Sequence, residues 1–399
     1  MAFDQRQVGT RYGEANVTRR IGIIGANWSL KVHGSAWRLL PDVEVAAVCT
    51  AHRETAEAAA EAFGVPRAYW DVADLVADPT LDIIDVGSRP SYRYDMVMAA
   101  LNAGKHVYDA LPFAVDTQHA LAQSELAAKK GLVGVVDAQF RWVPAAMHML
   151  KLVSEGFLGE PLGFNFQLLQ PLRNHDGFIY PHASYPGGGV SPYKWLADSG
   201  SGGSAWRNFG SHMVLFLMPL LGRVKAATGS DTTGIRQWHL PDGSSYTPDT
   251  ADLGCGVLRM ENGALGTIQT SWTVADGPGI RVELWGTKGR LLYVDPTFGD
   301  GVSSRLYAGK TEPFVFGTAA GEWLETPEHY FAVPGTGFSK ENAPSYIVSM
   351  GWMFHDMLEA IKHERAPSPS FEEAAHAHRV VEAVIESGRS GRWIEIGDR

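Results

Sequence analysis

The chain contains little cysteine, no long apolar run and no excess of basic residues. Its 399 residues include two cysteines, Cys49 and Cys255, far apart in the sequence. Cys49 lies in the apolar run 45–49, so we expect a buried side chain rather than a disulfide or a reactive thiol. No apolar stretch approaches the ~20 residues that a helix needs to cross a bilayer. The formal net charge of −10 argues against a nucleic-acid ligand. We therefore predict neither a membrane nor a nucleic-acid partner.

The N-terminal residues 1–18 lack the apolar core of a signal peptide, and we interpret them as an extension. Arg19 and Arg20 could begin a twin-arginine export signal. The apolar run that follows, 21–26, is too short for such a signal and is more typical of a first β-strand. We therefore expect a cytoplasmic location.

Short apolar runs alternate with helical segments through residues 19–145. The predicted strands are 20–25, 43–49, 81–86, 105–108 and 133–136, and the predicted helices are 32–40, 54–63, 96–102 and 117–130. A glycine follows each of the last three predicted helices, and Asp116 is placed to cap the N-terminus of the helix 117–130. Strands alternating with short helices indicate βαβ units. The pattern predicts an α/β N-terminal Rossmann domain with a doubly wound parallel sheet.

The pattern changes within residues 146–399, where strand-like segments and turn signals dominate. After a helix at 145–154, the predicted strands are 162–169, 253–260, 264–272, 280–285 and 290–294. Phe354, Met357, Leu358 and Ile361 share one face of a further helix. The run Pro369 to Glu373 is a capping-box start for a last helix, which we expect to pack back on the first domain over about 370–388. An α+β domain with a large, mainly antiparallel open-faced sheet is predicted.

The turn after the first strand resembles a dinucleotide-binding turn in part. Gly25, Asn27, Trp28, Ser29 and Leu30 occupy the region of a G-x-G-x-x-G fingerprint, in which the first glycine survives. Asparagine tolerates left-handed backbone conformations, whereas a leucine at the third glycine position removes the space for close helix–strand contact. A generic strand-to-helix turn explains this motif equally well.

The end of the second predicted strand bears on the choice between NAD and NADP. An acidic residue usually binds the ribose 2′-hydroxyl of NAD there, but this chain has Thr50, His52 and Arg53. A guanidinium and a hydroxyl favour a 2′-phosphate, so NADP is predicted over NAD. The alternative is a solvated helix entry in which the arginine has no ligand.

Several ordered motifs together resemble the glucose–fructose oxidoreductase and inositol dehydrogenase (Gfo/Idh/MocA) family. They are Gly104 to Pro112 (A-G-K-H-V-x-x-E-K-P), Gln139 to Pro144 (N-x-R-[FY]-x-P), Glu155 to Pro161 (E-G-x-[IL]-G-[ED]-[PI]), Gly202 to His212 (part of G-G-G-x-L-x-D-x-G-x-H-x-x-D) and Pro369 to Ala374 (P-S-F-E-E-A). Their order and spacing hold from about residue 20 to 225. The resemblance implies a dinucleotide-binding oxidoreductase that assembles as a homodimer or homotetramer through the open sheet face.

The resemblance also implies a cofactor frame and a small-molecule substrate. The expected cofactor-binding residues are Gly25, Asn27, Trp28, Ser29, Leu30, Thr50, His52, Arg53, Gly87, Ser88, Arg89, Asp109, Ala110 and Gln139. Lys194, His175, Tyr180 and His182 lie in the Gly- and Pro-rich loop 171–204 and could supply a replacement proton donor or bind substrate. Trp195 and Trp206 suit a flat sugar or aromatic ring, although core packing explains a tryptophan more often.

The chain departs from the family pattern at the residues that carry out proton transfer. Leu111 replaces the family lysine, Ala110 the glutamate before it, and Asn208 and Leu215 the two aspartates near the histidine. Of the usual polar set His212 remains. This altered pattern is similar to the branch that contains the yeast galactose-pathway repressor.

Three functions remain open from the residues. The first is an NAD(P)-dependent oxidoreductase acting on a secondary alcohol or ketone of a sugar-like or aromatic polyol. His212 would be its acid/base, and Asn208 would orient the substrate or the histidine. The second is a redox-neutral enzyme that uses a transiently reduced bound nicotinamide, and the third is a non-catalytic sensor with a protein partner. A core role for His212 is the alternative to its catalytic role. No metal site is predicted, because His376 and His378 do not face each other on a helix.

Overall fold

A computed structural model describes residues 18–175, 177–178, 194–239, 243–297, 303–310, 312, 321–343 and 347–397. The first domain contains a six-stranded parallel sheet in the order β3-β2-β1-β4-β5-β6. Its strands are β1 (Arg19–Ile24), β2 (Val43–Cys49), β3 (Arg67–Tyr69), β4 (Ile83–Val86), β5 (His106–Asp109) and β6 (Gly134–Val136). Its helices are α1 (Gly34–Trp37), α2 (Arg53–Phe63), α3 (Val72–Ala77), α4 (Pro90–Asn102) and α5 (Thr117–Lys130). The predicted Rossmann domain is therefore confirmed.

The structure contains every strand and helix predicted for the first domain, together with two elements that were not predicted. One predicted helix starts six residues too late. Sequence analysis did not predict β3 or α3, which are three and six residues long and too short for a clear hydrophobic period. Helix α4 begins at Pro90, six residues before its predicted start at Met96, because a proline at the first helical turn fits without a backbone donor. The cap predicted at Asp116 is present, since its carboxylate accepts from the His119 N–H at 2.8 Å.

Close contact between the first helix and β1 occurs one turn later than the glycine fingerprint predicts. Leu30 is buried in the core, within a π-helical turn, Ser29–His33, that precedes α1. A Cβ atom on Gly34 would lie 3.3 Å from Ile23 Cδ1 and from Leu30 Cδ1. Gly34 therefore gives the helix the space that the third fingerprint glycine usually supplies.

The second domain contains a nine-stranded sheet in the order β18-β17-β16-β15-β7-β14-β13-β10-β19. Its strands are β7 (Pro161–Leu169), β10 (Val224–Thr232), β13 (Leu253–Met260), β14 (Leu265–Ser271), β15 (Gly279–Gly286), β16 (Gly289–Asp295), β17 (Arg305–Lys310), β18 (Glu322–Leu324) and β19 (Ile394–Glu395). Two small ribbons pair β8 (Arg173–Asn174) with β9 (Gly177–Phe178) and β11 (Trp238–His239) with β12 (Ser245–Tyr246). Strands β7 and β14 run parallel, and the other neighbouring strands of this sheet run antiparallel, as expected for a mainly antiparallel sheet.

One face of this sheet is buried and the other is open. Along β7 and β14 the residues Phe164, Phe166 and Ile268 are buried, whereas Asn165 and Thr267 are exposed and share a hydrogen bond of 2.7 Å. The helices of the domain are α6 (Pro144–Ser154), α7 (Ser211–Leu221), α8 (Ile347–Lys362) and α9 (Phe371–Ser390). Sequence analysis missed α7, because a run that is apolar on all sides has no helical period.

Both C-terminal helices pack against the first domain. The Ser370 hydroxyl accepts from the Glu373 N–H and the Glu373 side chain accepts from the Ser370 N–H, so the predicted capping box is present. Phe371 covers β6, where a Cβ atom on Gly134 would lie 2.6 Å from its ring. On the opposite face of the sheet, the α8 residue Phe354 stacks on Trp37 with ring centroids 3.7 Å apart. The two domains therefore share buried surface on both faces of the parallel sheet.

Among the described residues, no helix combines the length and the apolar character that a bilayer crossing requires.

Candidate active site

The candidate site lies where the first domain's parallel strands end and the second domain begins. In the order 3-2-1-4-5-6 the chain reverses direction between β1 and β4, and a crevice opens there at the carboxyl ends of the strands. Predicted cofactor residues follow β1, β2, β4, β5 and β6, so one sheet edge brings them together. The site therefore has the topology of a dinucleotide-binding crevice.

Two glycines and a serine shape the bottom of this crevice. Gly25 has φ of +111°, and its N–H donates to the Cys49 carbonyl at 2.9 Å. A Cβ atom at Gly87 would lie 1.7 Å from Ser29 Oγ, and one at Gly25 would lie 2.9 Å from the same atom. The absence of a Cβ atom at both glycines therefore lets the Ser29 side chain pack against their backbone. Asn27 is exposed beside the crevice, and Trp28 is half-buried.

Arg53 already has partners at the end of β2. Its Nε lies 2.8 Å from Glu57 Oε1, and its guanidinium lies 5.0 Å from the centre of the Trp70 ring. Thr50 is turned toward its own loop, since its hydroxyl donates to the His52 carbonyl at 3.0 Å. Arg53 and His52 are exposed, so a phosphate can reach the guanidinium. The Glu57 carboxylate would compete with it for that guanidinium.

The end of β5 carries a buried ion pair. Asp109 and Arg93 are almost fully buried, with Asp109 Oδ1 3.5 Å from Arg93 Nε. Burial raises the pKa of Asp109 to about 7 although the Arg93 charge opposes that shift. Arg93 also donates to the Pro112 carbonyl. The pair therefore supports the segment that holds Ala110 and Leu111. Across the crevice Ser88 is half-buried, and Arg89 is exposed at the N-cap of α4.

A buried histidine that sequence analysis did not single out lies between two carboxylates. His33 Nδ1 lies 3.0 and 3.1 Å from the two oxygens of Asp85, and its Nε2 lies 3.4 Å from Asp137 Oδ2. The Trp37 indole N–H donates to Asp85 at 2.9 Å. Burial alone would lower the pKa of His33, but Asp85 and Asp137 raise it to about 10. His33 is therefore an imidazolium at neutral pH.

Asp137 connects this buried group to the second domain. Burial would raise the pKa of Asp137, but the bond to His33 and the charges of His33 and His212 bring it below its ordinary value. Its backbone N–H donates to the Asp109 carbonyl at 2.9 Å. In the orientation that satisfies both ends of its amide, Gln139 donates to Asp137 Oδ1 and to the Asp137 carbonyl at 3.1 Å each.

His212 lies at the start of α7 and is 7% exposed. Phe140 and Phe209 surround its ring, with centroids 4.7 and 6.2 Å away. Burial lowers the pKa of His212 to about 4, against the opposing charge of Asp137. Its Nδ1 is buried and has no hydrogen-bond partner among the described residues. At neutral pH His212 is therefore a neutral imidazole that can accept a proton.

The other predicted catalytic and substrate-binding residues differ in their contacts and in their burial. Asn208 donates to the Leu111 carbonyl at 3.5 Å and so links the two domains, which is not the histidine-orienting bond that the sequence suggested. Trp206 is fully buried, and its indole N–H donates to the Val381 carbonyl at 2.9 Å, which is the contact of a core residue. Trp195 is half-buried and His175 is exposed. Tyr180, His182 and the side chain of Lys194 lie outside the described residues.

The structure offers no metal site within the described residues, where no group of three or more histidine, cysteine or carboxylate side chains could hold an ion. His376 has a structural role, since its Nε2 accepts from the Val224 N–H at 3.2 Å and burial lowers its pKa to about 3. Cys49 is buried and not disulfide-bonded, as predicted.

Sequence analysis missed His33, Asp85 and Asp137. One signal was available, because Asp85 interrupts the apolar strand predicted at 81–86. A buried carboxylate needs a partner, but the sequence does not say which residue supplies it. His33 is 52 residues away in the chain.

The residues around the crevice fit a dinucleotide. The strand order places the site where dinucleotides bind in open α/β sheets, beside the glycine turn at Gly25. His212, whose buried Nδ1 has no hydrogen-bond partner among the described residues, packs against Phe140, which follows β6. This arrangement can bind a nicotinamide coenzyme and a small substrate beside a proton acceptor.

Comparisons with known proteins agree with this geometry. A family model described as an oxidoreductase family with an NAD-binding Rossmann fold matches residues 19–138, and a GFO/IDH/MocA C-terminal domain model matches residues 146–292. Levoglucosan dehydrogenase from Pseudarthrobacter phenanthrenivorans is 23% identical over 94% of this chain and 97% of its own length. The scyllo-inositol 2-dehydrogenase (NADP(+)) of Bacillus subtilis is 23% identical over 94% and 96%.

A solved structure shows the same fold over nearly the whole chain. The crystal structure of an NAD binding oxidoreductase from Klebsiella pneumoniae has a TM-score of 0.83 and 26% identity, and the match covers 96% of this chain and 100% of that one. Both domains and their order are therefore shared. The chain belongs to the GFO/IDH/MocA family of oxidoreductases.

Proposed function

We propose that the protein is an NAD(P)-dependent oxidoreductase that interconverts a secondary alcohol and a ketone on a sugar-like polyol. The observation that carries the proposal is the placement of His212. It is a neutral, nearly buried imidazole on the second domain, within the field of a first-domain carboxylate at the dinucleotide crevice. A proton acceptor at that place suits alcohol oxidation.

A bound nicotinamide would accept or supply the hydride. The chain's own residues handle the proton, which passes from the substrate hydroxyl to the His212 imidazole as the carbonyl forms. Leu111 and Ala110, which replace the family lysine and glutamate, cannot exchange protons. Phe140 and Phe209 exclude water from the imidazole. Asn208 holds the Leu111 carbonyl and so fixes the second domain against the end of β5.

The class of substrate follows from the relatives. They include dehydrogenases of levoglucosan, scyllo-inositol and D-glucosides, so polyols with several neighbouring hydroxyl groups are the first candidates. An aromatic polyol receives less support, because Trp206 is committed to the core. Neither the redox-neutral reaction nor the sensor is favoured by these relatives.

NADP is the proposed coenzyme, and the support for it comes from the residues at the end of β2. Arg53 is exposed at the end of β2, and no acidic residue occupies 50–53. The relatives include both an NADP enzyme and an NAD binding protein, so the preference depends on Arg53 and its competition with Glu57.

A polyol panel tests this function. The purified protein is incubated with NADP or NAD and with levoglucosan, scyllo-inositol and other sugars, while absorbance of the reduced coenzyme is followed. We expect coenzyme reduction with at least one polyol, faster with NADP. A protein that binds the coenzyme but reduces it with none of them, and oxidises it with none of the corresponding ketones, would contradict the proposal.

We further propose a cytoplasmic homodimer or homotetramer joined through the open face of the nine-stranded sheet. Support comes from the exposed sheet face formed by β7, β13 and β14, which carries Asn165, Thr267 and Gln269. Light scattering at micromolar concentration tests the assembly, and a monomer there would contradict it.

A further inference from the structure

Resting on the proposed function, we propose that Gln139 binds the carboxamide of the coenzyme's nicotinamide ring, and that Asp137 and His33 are positioning residues that fix the direction of its amide. The ligand group is a primary amide on a heteroaromatic ring, and its NH2 donates to the Gln139 carbonyl oxygen. Sequence analysis placed Gln139 in the cofactor frame without assigning it to a part of the coenzyme.

The strand order assigns the two halves of a dinucleotide to opposite halves of the sheet. In this fold the pyrophosphate binds at the turn after the first strand and the adenosine ribose at the end of the second. The nicotinamide half would then extend over the ends of β4, β5 and β6. Gln139 follows β6 and is half-buried. It therefore lies at the nicotinamide end of the crevice.

The backbone at Gln139 is held by contacts to the second domain. Gln139 begins a short 3₁₀ turn. Within this turn the Phe140 ring packs on the His212 ring, with centroids 4.7 Å apart, and Arg141 Nη1 donates to the Leu215 carbonyl at 3.1 Å. The position of Gln139 is thus fixed, and the group that it presents to the crevice depends on the direction of its amide.

Asp137 determines that direction. The amide nitrogen of Gln139 lies 3.1 Å from Asp137 Oδ1 and 3.1 Å from the Asp137 carbonyl oxygen. Both of these oxygens are acceptors, so the NH2 group of Gln139 faces Asp137 and its amide oxygen faces away. That oxygen is an acceptor, and the NH2 group of a nicotinamide carboxamide is a matching donor.

His33 keeps Asp137 in place as an acceptor. Its Nε2 lies 3.4 Å from Asp137 Oδ2, and its Nδ1 lies 3.0 Å from Asp85 Oδ1. Asp137 therefore turns one carboxylate oxygen toward His33 and the other toward Gln139. A protonated acid or an amide at 137 could donate to the Gln139 oxygen and turn its amide around. The His33 charge opposes this, because it lowers the pKa of Asp137 against burial.

The surroundings of His33 make this chain of contacts rigid. Tyr108 and Phe354 pack edge-on against its ring, with centroids 5.1 and 6.3 Å away. Trp28, in the turn after β1, packs edge-on at 6.3 Å. Close-packed side chains leave the ring little room to move. One buried imidazolium therefore supports the glycine turn and, through Asp137, the amide at the other end of the crevice.

The test compares the binding of NADP with that of its 3-acetylpyridine analogue, in which a methyl group replaces the carboxamide NH2. Calorimetry on the full-length protein measures both affinities, and the same pair of NAD coenzymes is titrated in parallel. Gln139→Met keeps the length of the side chain without an amide, so its affinity ratio gives the intrinsic difference between the two coenzymes. In wild type we expect a ratio about fivefold to tenfold larger, because one hydrogen bond to the carboxamide is added.

Two further variants test the positioning roles. Asp137→Asn and His33→Gln leave Gln139 in place but let its amide turn, so the ratio should fall to within about twofold of that of Gln139→Met. Asp78→Asn is the matched control, because Asp78 is a buried acid of the same domain paired with Arg67. It should keep the wild-type ratio even where it lowers stability. If one of the two positioning variants does not fold, the other still decides the matter.

Equal ratios in wild type and Gln139→Met would overturn the assignment of Gln139 and would leave a substrate hydroxyl as the donor it meets. A wild-type ratio in Asp137→Asn or His33→Gln would overturn the positioning roles. Failure of the proposed function looks different. A wild-type protein that turns over no polyol but shows the larger ratio contradicts the function and supports the inference, whereas one that binds neither coenzyme overturns both.

Discussion

His33 and His212 are both almost fully buried and both lie at the start of a helix, yet their surroundings shift their pKa values in opposite directions. His33 has a carboxylate on each ring nitrogen, and its pKa rises to about 10. His212 is packed between Phe140 and Phe209 with one carboxylate beyond, and its pKa falls to about 4. Burial alone therefore does not set the charge of a histidine, and the number of carboxylates against the ring decides it.

This difference assigns separate tasks to the two domains. The first domain holds a fixed positive charge and two carboxylates at its sheet edge. The second domain supplies an imidazole that is neutral at physiological pH and so has a free lone pair to accept a proton from the substrate. A permanent imidazolium could not act as a base, and a neutral imidazole could not hold two carboxylates.

The largest expected effect is on stability, from replacing His33. His33→Gln leaves Asp85 and Asp137 without their cation, which should lower the free energy of unfolding by about 3–5 kcal/mol at pH 7. The pH dependence has a definite sign. The folded-state pKa of His33 is above its unfolded value of 6.5, so its contribution is complete below about pH 6.5 and is lost as the pH rises to about 10.

Urea unfolding at several pH values measures this effect. Wild type should lose stability between pH 6.5 and 10 more steeply than His33→Gln. His119→Gln is a suitable control, because this half-exposed histidine has a single carboxylate neighbour, Asp116, and should change stability by less than about 1 kcal/mol. Equal stability of wild type and His33→Gln at pH 7 would contradict the view of His33 as a buried cation.

The next effect is on turnover, from replacing His212. His212→Ala should lower kcat by about 100-fold or more and leave NADP affinity nearly unchanged, because the coenzyme crevice belongs to the first domain. Steady-state kinetics and calorimetry measure the two quantities. His378→Gln, at another buried histidine, controls for a loss of folded protein. Unchanged turnover in His212→Ala would exclude it as the base and direct attention to Lys194 and Tyr180.

A smaller effect is expected from a cation placed beside His212. Leu111→Lys restores the family residue on the segment that Asn208 contacts. A positive charge there should oppose formation of the His212 imidazolium and lower kcat by roughly tenfold. Increased activity would instead mean that the site has merely lost its ancestral base. Leu111→Met, which keeps an apolar side chain of similar size, is the matched control.

The smallest effect concerns a residue remote from both histidines. Arg53→Ala should weaken NADP binding by about tenfold and NAD binding little, since a 2′-phosphate loses its guanidinium partner. Glu57→Gln should do the reverse, because it frees Arg53 from a competing carboxylate. Calorimetry with both coenzymes measures this preference. Equal losses of NAD and NADP affinity in Arg53→Ala would refute the assigned role, and neither variant should alter the His33 or His212 titrations.

Local signals in the sequence were sufficient to predict the fold class and many of its helices and strands. The Ser370–Glu373 capping box and the strand 253–260 were found because their signals lie within a few adjacent residues. Helix α7 was missed because its run from Ser211 to Leu221 is apolar on every side. The site was predicted in part: His212 came from a motif, whereas Asn208 and Trp206 have partners different from those proposed.

The sequence by itself determined the two domains, the parallel sheet of the first domain, the family, and the loss of the lysine at Leu111. The tertiary structure alone decided which residues carry charge at the site. His33 meets Asp85 across 52 positions of the chain, and the rings that pack on His212 come from both domains, Phe140 from the first and Phe209 from the second. The pKa of a buried group depends on solvent exclusion and on charges within a few ångströms, and both arise only when distant segments pack together.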